Sequence, residues 1–326
     1  MRKLFSFPKV SDALNGMMAV GRQVSFLNPF ALQHKGVRAR ALFALGLVCF
    51  FWGTTWVASK EGVRHMPALQ LAGIRQSIGG LFYILFFVAR GTGFPKGKEW
   101  GPIVMLSFLN FMLSNGLSTW GVKYISAGLG AIIGSIFPLW LVVIGFFGSQ
   151  SAMKRGTIWG LVLGFSGICV IFYEHLQDFF NPEFRFGILL SLISTWSWAF
   201  GTLYTKEHAQ KFNPYLALGL QMIISGPTLY LVSLATHNSI PFSNIPWQSW
   251  AAIGYLAVFG SVFSFIAYLY ALQNLPTEQA SIYAYINPVV AFAIGALIFG
   301  EKITVAIVAG ILITLYGVFR VNRSVR

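Results

Sequence analysis

Gly130-Ala131-Ile132-Ile133-Gly134-Ser135-Ile136-Phe137-Pro138 and Ala280-Ser281-Ile282-Tyr283-Ala284-Tyr285-Ile286-Asn287-Pro288 carry one pattern: a small residue, a second small residue four places on, and a proline four places after that. Each member of the second copy stands 150 residues after its counterpart. At 3.6 residues per turn this spacing puts two nearly bare patches of backbone and a proline on one side of a helix. Proline has no N–H, and its ring displaces the carbonyl four residues back, so both helices are expected to bend in mid-course and to free the carbonyls of Gly134 and Ala284. Such backbone survives inside a membrane where it is buried in protein or lines a polar cavity. Close helix packing alone is the competing reading of the same spacing.

Composition selects the membrane. Of the 326 residues, 56% are hydrophobic and only 10% charged, against about 25% charged in soluble domains. Mean hydropathy is +0.68. Ten apolar stretches are each long enough to cross about 30 Å of hydrocarbon. Their expected limits are 41–59, 68–89, 101–122, 126–147, 156–173, 186–206, 214–236, 247–271, 277–299 and 303–320. The fold class expected is therefore an all-α integral membrane protein, with residues 39–174 and 185–320 as two five-helix repeats and a basic tail at 321–326. Residues 1–38 carry no continuous apolar core of the kind a signal peptide has. They read as a cytoplasmic basic tail, an interfacial helix on anionic lipid, or sequence upstream of a start at Met17 or Met18. Cys49 and Cys169 lie in apolar runs and read as small hydrophobes.

Charge sets the orientation. Of 23 lysines and arginines, seventeen fall on the side of the N-terminus, five on the other, and Arg75 within a span. By the positive-inside rule both termini are cytoplasmic. The net charge of +14 sits mostly in loops and tails, so it implies no nucleic-acid partner; the lipid bilayer and a small-molecule substrate are the partners expected, and the oligomeric state, monomer or homodimer, is open.

The repeat extends beyond the opening stretch. Trp52 and Lys60 stand eight apart, as do Trp198 and Lys206; Pro67 opens the second span as Pro214 opens the seventh; Gly160 and Gly167 return as Gly310 and Gly317. Five spans is an odd number, so the second copy enters the membrane from the other side and the repeat is inverted, as in many secondary transporters.

These residues resemble a known family. Phe51-Trp52-Gly53-Thr54-Thr55-Trp56, Pro67 with Ala72-Gly73-Ile74-Arg75, and Ser126-Ala127-Gly128 through Pro138 are similar to the EamA domain of the drug/metabolite transporter superfamily. In the second copy, Leu275-Pro276-Thr277-Glu278-Gln279-Ala280 through Pro288 and then Gly300-Glu301-Lys302 are similar as well. The resemblance covers roughly residues 40–320. It implies a ten-helix carrier with a cavity between the repeats, commonly an exporter of small metabolites in a bacterial inner membrane. One departure stands out: Ser149 occupies the place that Glu301 holds in the second copy.

Arg75 is the single charge well inside a span, and an arginine near mid-helix costs roughly 2.5–3.5 kcal/mol on the insertion scale. No acid lies at its depth, so its partner is a backbone carbonyl, a side-chain amide or the substrate; a structural anchor or partial snorkelling is the alternative. Asn115, Trp120, Trp198, Gln221, Tyr283 and Asn287 are the other substrate-binding candidates, since buried amides require partners. Asn110, Tyr124, Trp196, Gln279 and Tyr285 are further polar or aromatic residues of the spans. Tyr283 and Asn287 share the bent face before Pro288 and form the leading site. Pro138 and Pro288 are the gating candidates. Glu278 is the coupling candidate, because Glu278 and Glu301 are the acids that flank the ninth span; downhill transport or exchange is otherwise expected. No zinc motif, nucleophile elbow or Walker loop is present, so neither an enzyme, a metal, a cofactor nor ATP is called for; His175 and Asp178 read as a solvated loop. The substrate expected is a small metabolite or amphiphile, amino-acid-like or drug-like, moved by alternating access and exported. A passive channel-like facilitator, a membrane enzyme or a structural subunit are the alternatives.

Overall fold

The computed structural model describes residues 36–148, 155–174, 176–208, 213–275 and 283–325. Most of the basic head, Ser149, Lys154, His175, Lys211 and the stretch containing Glu278, Gln279 and Ala280 lie outside the described residues. Among the described residues the chain is all-helical, with ten helices in order. These are α1 (Val37–His65), α2 (Ala68–Ala89), α3 (Trp100–Leu106, Ser107–Gly116 and Leu117–Gly121 end to end), α4 (Ala127–Ser135 and Phe137–Gly148) and α5 (Arg155–Glu174). The second half has α6 (Pro182–His208), α7 (Pro214–Ala235), α8 (Trp247–Tyr255, Leu256–Phe263 and Ser264–Asn274 end to end), α9 (Tyr283–Phe299) and α10 (Val305–Val325).

Seven of these are long and apolar enough to cross a membrane, and three apolar helices are shorter. The reasons are local. Helix α4 is interrupted at Ile136, α9 is described only from Tyr283, and the apolar part of α10 ends at Gly317 before its basic last turns. Sequence chemistry fixes several starts. Ser126 accepts the Leu129 N–H at 3.0 Å as N-cap of α4, and Asn213 accepts the N–H groups of Tyr215 and Leu216 with Pro214 in the first turn of α7, where a proline costs no hydrogen bond.

Helix neighbours obey a two-fold relation. Each of α2, α4 and α5 packs on its own repeat counterpart, α7, α9 and α10 respectively. The pair α3–α6 is matched by α8–α1, and α1–α9 by α6–α4. The α5–α10 crossing explains one repeated glycine pair: a Cβ on Gly167 would lie 2.6 Å from the Gly310 carbonyl, and one on Gly310 would lie 2.7 Å from the Gly167 carbonyl. Backbones this close admit no side chain between them. The α2–α7 crossing uses a pair of the same kind, Gly73 and Gly80 against Gly219 and Gly226, separated by 146 residues. The outward faces expose large apolar side chains such as Phe43, Leu85, Phe165, Leu231 and Leu312, as contact with lipid tails requires.

The opening motif behaves differently in its two copies. In α4 the helix stops at Ile136 and restarts, with Pro138 the second residue of the new segment; this is a break where a bend was expected. In α9 the helix runs continuously with Pro288 inside it. The bare patch of Gly130 and Gly134 is covered by the indole of Trp56 from α1, 2.9 and 3.0 Å from where each Cβ would stand.

Candidate substrate cavity

Helices of both halves enclose a cavity of about 170 Å³. Trp52, Thr55, Trp56 and Ser59 line it from α1, Arg75 from α2, Ser114, Asn115, Ser118 and Thr119 from α3, and Gly134, Ser135 and Phe137 from α4. Ser194, Thr195 and Trp198 of α6, Gly260 and Phe265 of α8, and Tyr283, Ala284 and Asn287 of α9 complete the wall. A single water needs roughly 10–15 Å³ by a comparable measure, so the space suits a small organic molecule.

Two wide, π-helical stretches shape this wall: Ser107–Gly116 in α3 and Leu256–Phe263 in α8, at corresponding places in the two repeats. A π turn leaves carbonyls poorly satisfied by the helix itself. In α3, the carbonyls of Leu109, Phe111 and Ser114 accept from Ser197, Gln76 and Ser194 at 2.8, 3.2 and 2.8 Å. In α8, those of Gly260, Ser261 and Val262 accept from Trp52 Nε1 and the Tyr83 hydroxyl. Many of the polar side chains are thus committed to backbone.

Arg75 is 6% exposed and donates from Nη2 to Asn115 Oδ1; its Nε is buried without a hydrogen-bond partner. Asn115 is held by its own Nδ2, which donates to the Asn110 carbonyl at 3.4 Å. Asn287, oriented with its amide nitrogen inward, donates to the carbonyls of Tyr283 and Cys49 at 3.0 Å each, bracing α9 against α1. Tyr283 packs edge-on against Trp52 at 4.9 Å and Tyr268 at 5.5 Å, and its buried hydroxyl faces Trp198 and the Tyr268 hydroxyl.

Five of the seven sequence-proposed binding residues therefore line one cavity: Arg75, Asn115, Trp198, Tyr283 and Asn287. Trp120 instead packs edge-on against Phe186 at 5.3 Å. Gln221 is buried in α7, which contributes nothing to the wall, and its main-chain carbonyl accepts from Ser107 at 2.8 Å. Neither proline touches the cavity, although their neighbours Phe137 and Asn287 do. The hydroxyl-bearing residues of α3 and α6 escaped the sequence reading. Their signal was there, in Ser114 and Ser118 and in Ser191 and Thr195 at four-residue spacing.

A clasp of hydrogen bonds lies at the end of this cavity remote from the termini. Lys60 Nζ, one residue beyond Ser59, donates to the carbonyls of Val122, Lys123 and Ile125 at 2.9, 3.2 and 2.8 Å. Glu301, from the α9–α10 connection, accepts the N–H groups of Ala127 and Gly128 at 2.8 and 3.2 Å. The corner between α3 and α4 is thus held by a cation at the C-terminal end of one helix and an anion at the N-terminal end of the next, each where the helix dipole favours it. Lys60 and Glu301 also attract each other. Beyond the clasp, the first segment of α4 packs on both α9 and α6, and the second on α6.

A family model, the EamA-like transporter family, matches this chain twice, over residues 39–173 and 185–323. The chain belongs to the EamA-like transporter family. As a member it is a multi-pass membrane transporter and not an enzyme. It is 30% identical over 269 residues to the "uncharacterized inner membrane transporter YedA" of Escherichia coli K12, covering 81% of this chain and 83% of that one. It is 26% identical over 287 residues to the "uncharacterized transporter YvbV" of Bacillus subtilis strain 168, covering 87% and 92%. A solved crystal structure superposes with a TM-score of 0.63 over 87% of this chain and 97% of its own at 15% identity, a likeness of fold alone.

Proposed function

We propose that this EamA-family protein is a secondary carrier that exports a small metabolite across a bacterial cytoplasmic membrane by alternating access, with both termini in the cytoplasm. The cavity walled by both repeats and clasped at one end carries this reading. A carrier needs one site that each face reaches in turn. The halves meet through the clasp at one end, and along α4, whose first segment packs on α9 and α6 and whose second packs on α6. Rocking about this region, with Phe137-Pro138 and Asn287-Pro288 as the places where α4 and α9 change direction, would open the clasped end and close the other. Arg75, Asn115, Trp198, Tyr283 and Asn287 are the substrate contacts in this reading.

Counterflow in proteoliposomes is the test. A carrier takes up labelled solute faster when unlabelled solute is loaded on the far side, and uptake indifferent to such loading would identify a passive facilitator. Orientation is checked separately with single cysteines at Asp178 and Lys98. The first should react with an impermeant maleimide in intact cells and the second only after permeabilisation; labelling of both from one side would refute the inverted arrangement.

A further inference from the structure

We infer that the substrate is a small monocarboxylate with an aromatic or similarly flat apolar body, its carboxylate against Arg75 and its body against Trp52, Trp198 and Phe265. This inference rests on the carrier reading above and names what that site takes.

The charge balance of the cavity carries the argument. Arg75 is always protonated at physiological pH, and its guanidinium meets one neutral amide oxygen, that of Asn115, with Nε left over. A buried charge without a counter-charge is unfavourable, and among the described residues no aspartate or glutamate lines the cavity. The acid of the clasp, Glu301, is spent on Ala127 and Gly128, and its cation, Lys60, on three carbonyls. The described wall is therefore net positive by one, with guanidinium N–H groups beyond the one that Asn115 accepts left to meet a carboxylate. The Tyr283 hydroxyl belongs to the same wall, beside Trp198 and Tyr268, a donor suited to a polar substituent.

The same balance excludes other classes. A cation would add a second positive charge beside Arg75. A zwitterion would satisfy Arg75 but bring an ammonium group to a wall of hydroxyls and rings with no carboxylate to meet it. Trp52 lies within 5.2 Å of Phe265 and 4.9 Å of Tyr283, and Trp198 within 6.4 Å of Phe265, a surface on which a flat ring stacks. Size agrees: an apolar protein cavity of roughly 150 Å³ takes up benzene, and this one is about 170 Å³.

Three probes share one body and differ in the head: 3-phenylpropanoate, phenylalanine and phenethylamine. Their dissociation constants for the purified full-length protein in nanodiscs are to be measured by thermal shift and by competition. The carboxylate should bind at least tenfold more tightly than the other two. Arg75→Gln should weaken it roughly 10- to 150-fold, Arg75→Lys should weaken it but keep the order of the three, and Tyr283→Phe should cost roughly 2- to 10-fold when the body carries a para-hydroxyl. Equal or tighter binding of phenylalanine or phenethylamine, or no binding of the carboxylate, overturns the inference. So does unchanged carboxylate affinity in a folded Arg75→Gln protein; should that variant not fold, the wild-type trio and Arg75→Lys decide. Accelerated exchange of phenylalanine without exchange of the carboxylate would refute the substrate class and leave the carrier standing. Carboxylate binding without exchange of any probe would do the reverse.

Discussion

Helices α4 and α9 begin from one sequence pattern and end as two different structures. In α4 the small residues are glycines, and the space they leave is filled by Trp56; the helix breaks at Ile136, and Pro138 sits where its missing N–H costs nothing. In α9 the equivalent residue of the second small position is Ala284, the helix is continuous across Pro288, and Asn287 ties it to the Cys49 carbonyl of α1. Repetition of a motif thus fixes where irregularity is allowed, while neighbours decide the form it takes. The N-terminal ends differ too. Helix α4 receives its anion from Glu301 of the other half, whereas in the sequence Glu278 itself stands at the place of Gly128.

The largest effect belongs to Trp56. Removal of the indole in Trp56→Ala should cost about 3 kcal/mol, the lower end for buried aromatics because the side chain is only half-buried. Gly134→Ala, destabilising in the wild type because its Cβ meets the indole at 3.0 Å, should become neutral or slightly stabilising in the Trp56→Ala background, as alanine is the better helix former by about 1 kcal/mol. Thermal unfolding of the four proteins of this cycle checks it, and additive costs would mean that Trp56 is not what the glycines accommodate.

The prolines come next. Pro288→Ala restores an internal hydrogen bond to a continuous helix and should slow exchange roughly tenfold, about 1.4 kcal/mol in barrier. Pro138→Ala, at the start of a helical segment, should change it less than about twofold. Counterflow rates normalised to inserted protein measure both. Equal slowing would return the two helices to equivalence.

The clasp is weaker. Glu301→Gln keeps the shape but removes the charge from two N–H contacts, at a cost of about 1–2 kcal/mol. With Cys49 and Cys169 replaced by alanine, a cysteine at Thr119 should react faster with an impermeant maleimide in Glu301→Gln and in Lys60→Met than in their parent. Unaltered labelling in both would make the clasp a packing feature and not a closure.

The sequence made the spans legible because apolar length and charge are one-dimensional quantities; the limits expected for the second span, 68–89, are those of α2. The repeated glycines were legible only as marks of the repeat; that they meet at the α5–α10 crossing is a matter of packing. What escaped depends on phase and on partners. The wide turns of α3 and α8 contain no residue type that an ordinary helix lacks, and Trp120, one place past the cavity residues Ser118 and Thr119, falls on the side that meets Phe186. Gln221 is buried as expected, but in a helix that faces α2 and α3 rather than the cavity. Arg75 was legible as a charge in need of a partner, and the partner, Asn115, was among the amides named with it. The clasp was not, because Lys60 and Glu301 bind backbone, and backbone partners leave no trace in composition.

The smallest effect expected is that of pH. Among the described residues no aspartate, glutamate or histidine lines the cavity, and an arginine does not titrate between pH 6 and 8. A carboxylate substrate with an ordinary pKa is ionised throughout that range as well. Exchange measured with equal pH on both sides should therefore vary less than about twofold from pH 6 to pH 8, the range in which a histidine at the site would change charge. The acid still available for coupling is Glu278, outside the described residues. A tenfold pH dependence that disappears in Glu278→Gln would place a proton in the cycle and make the N-terminal end of α9 a coupling element, in contrast to the corresponding end of α4, whose anion comes from the other half.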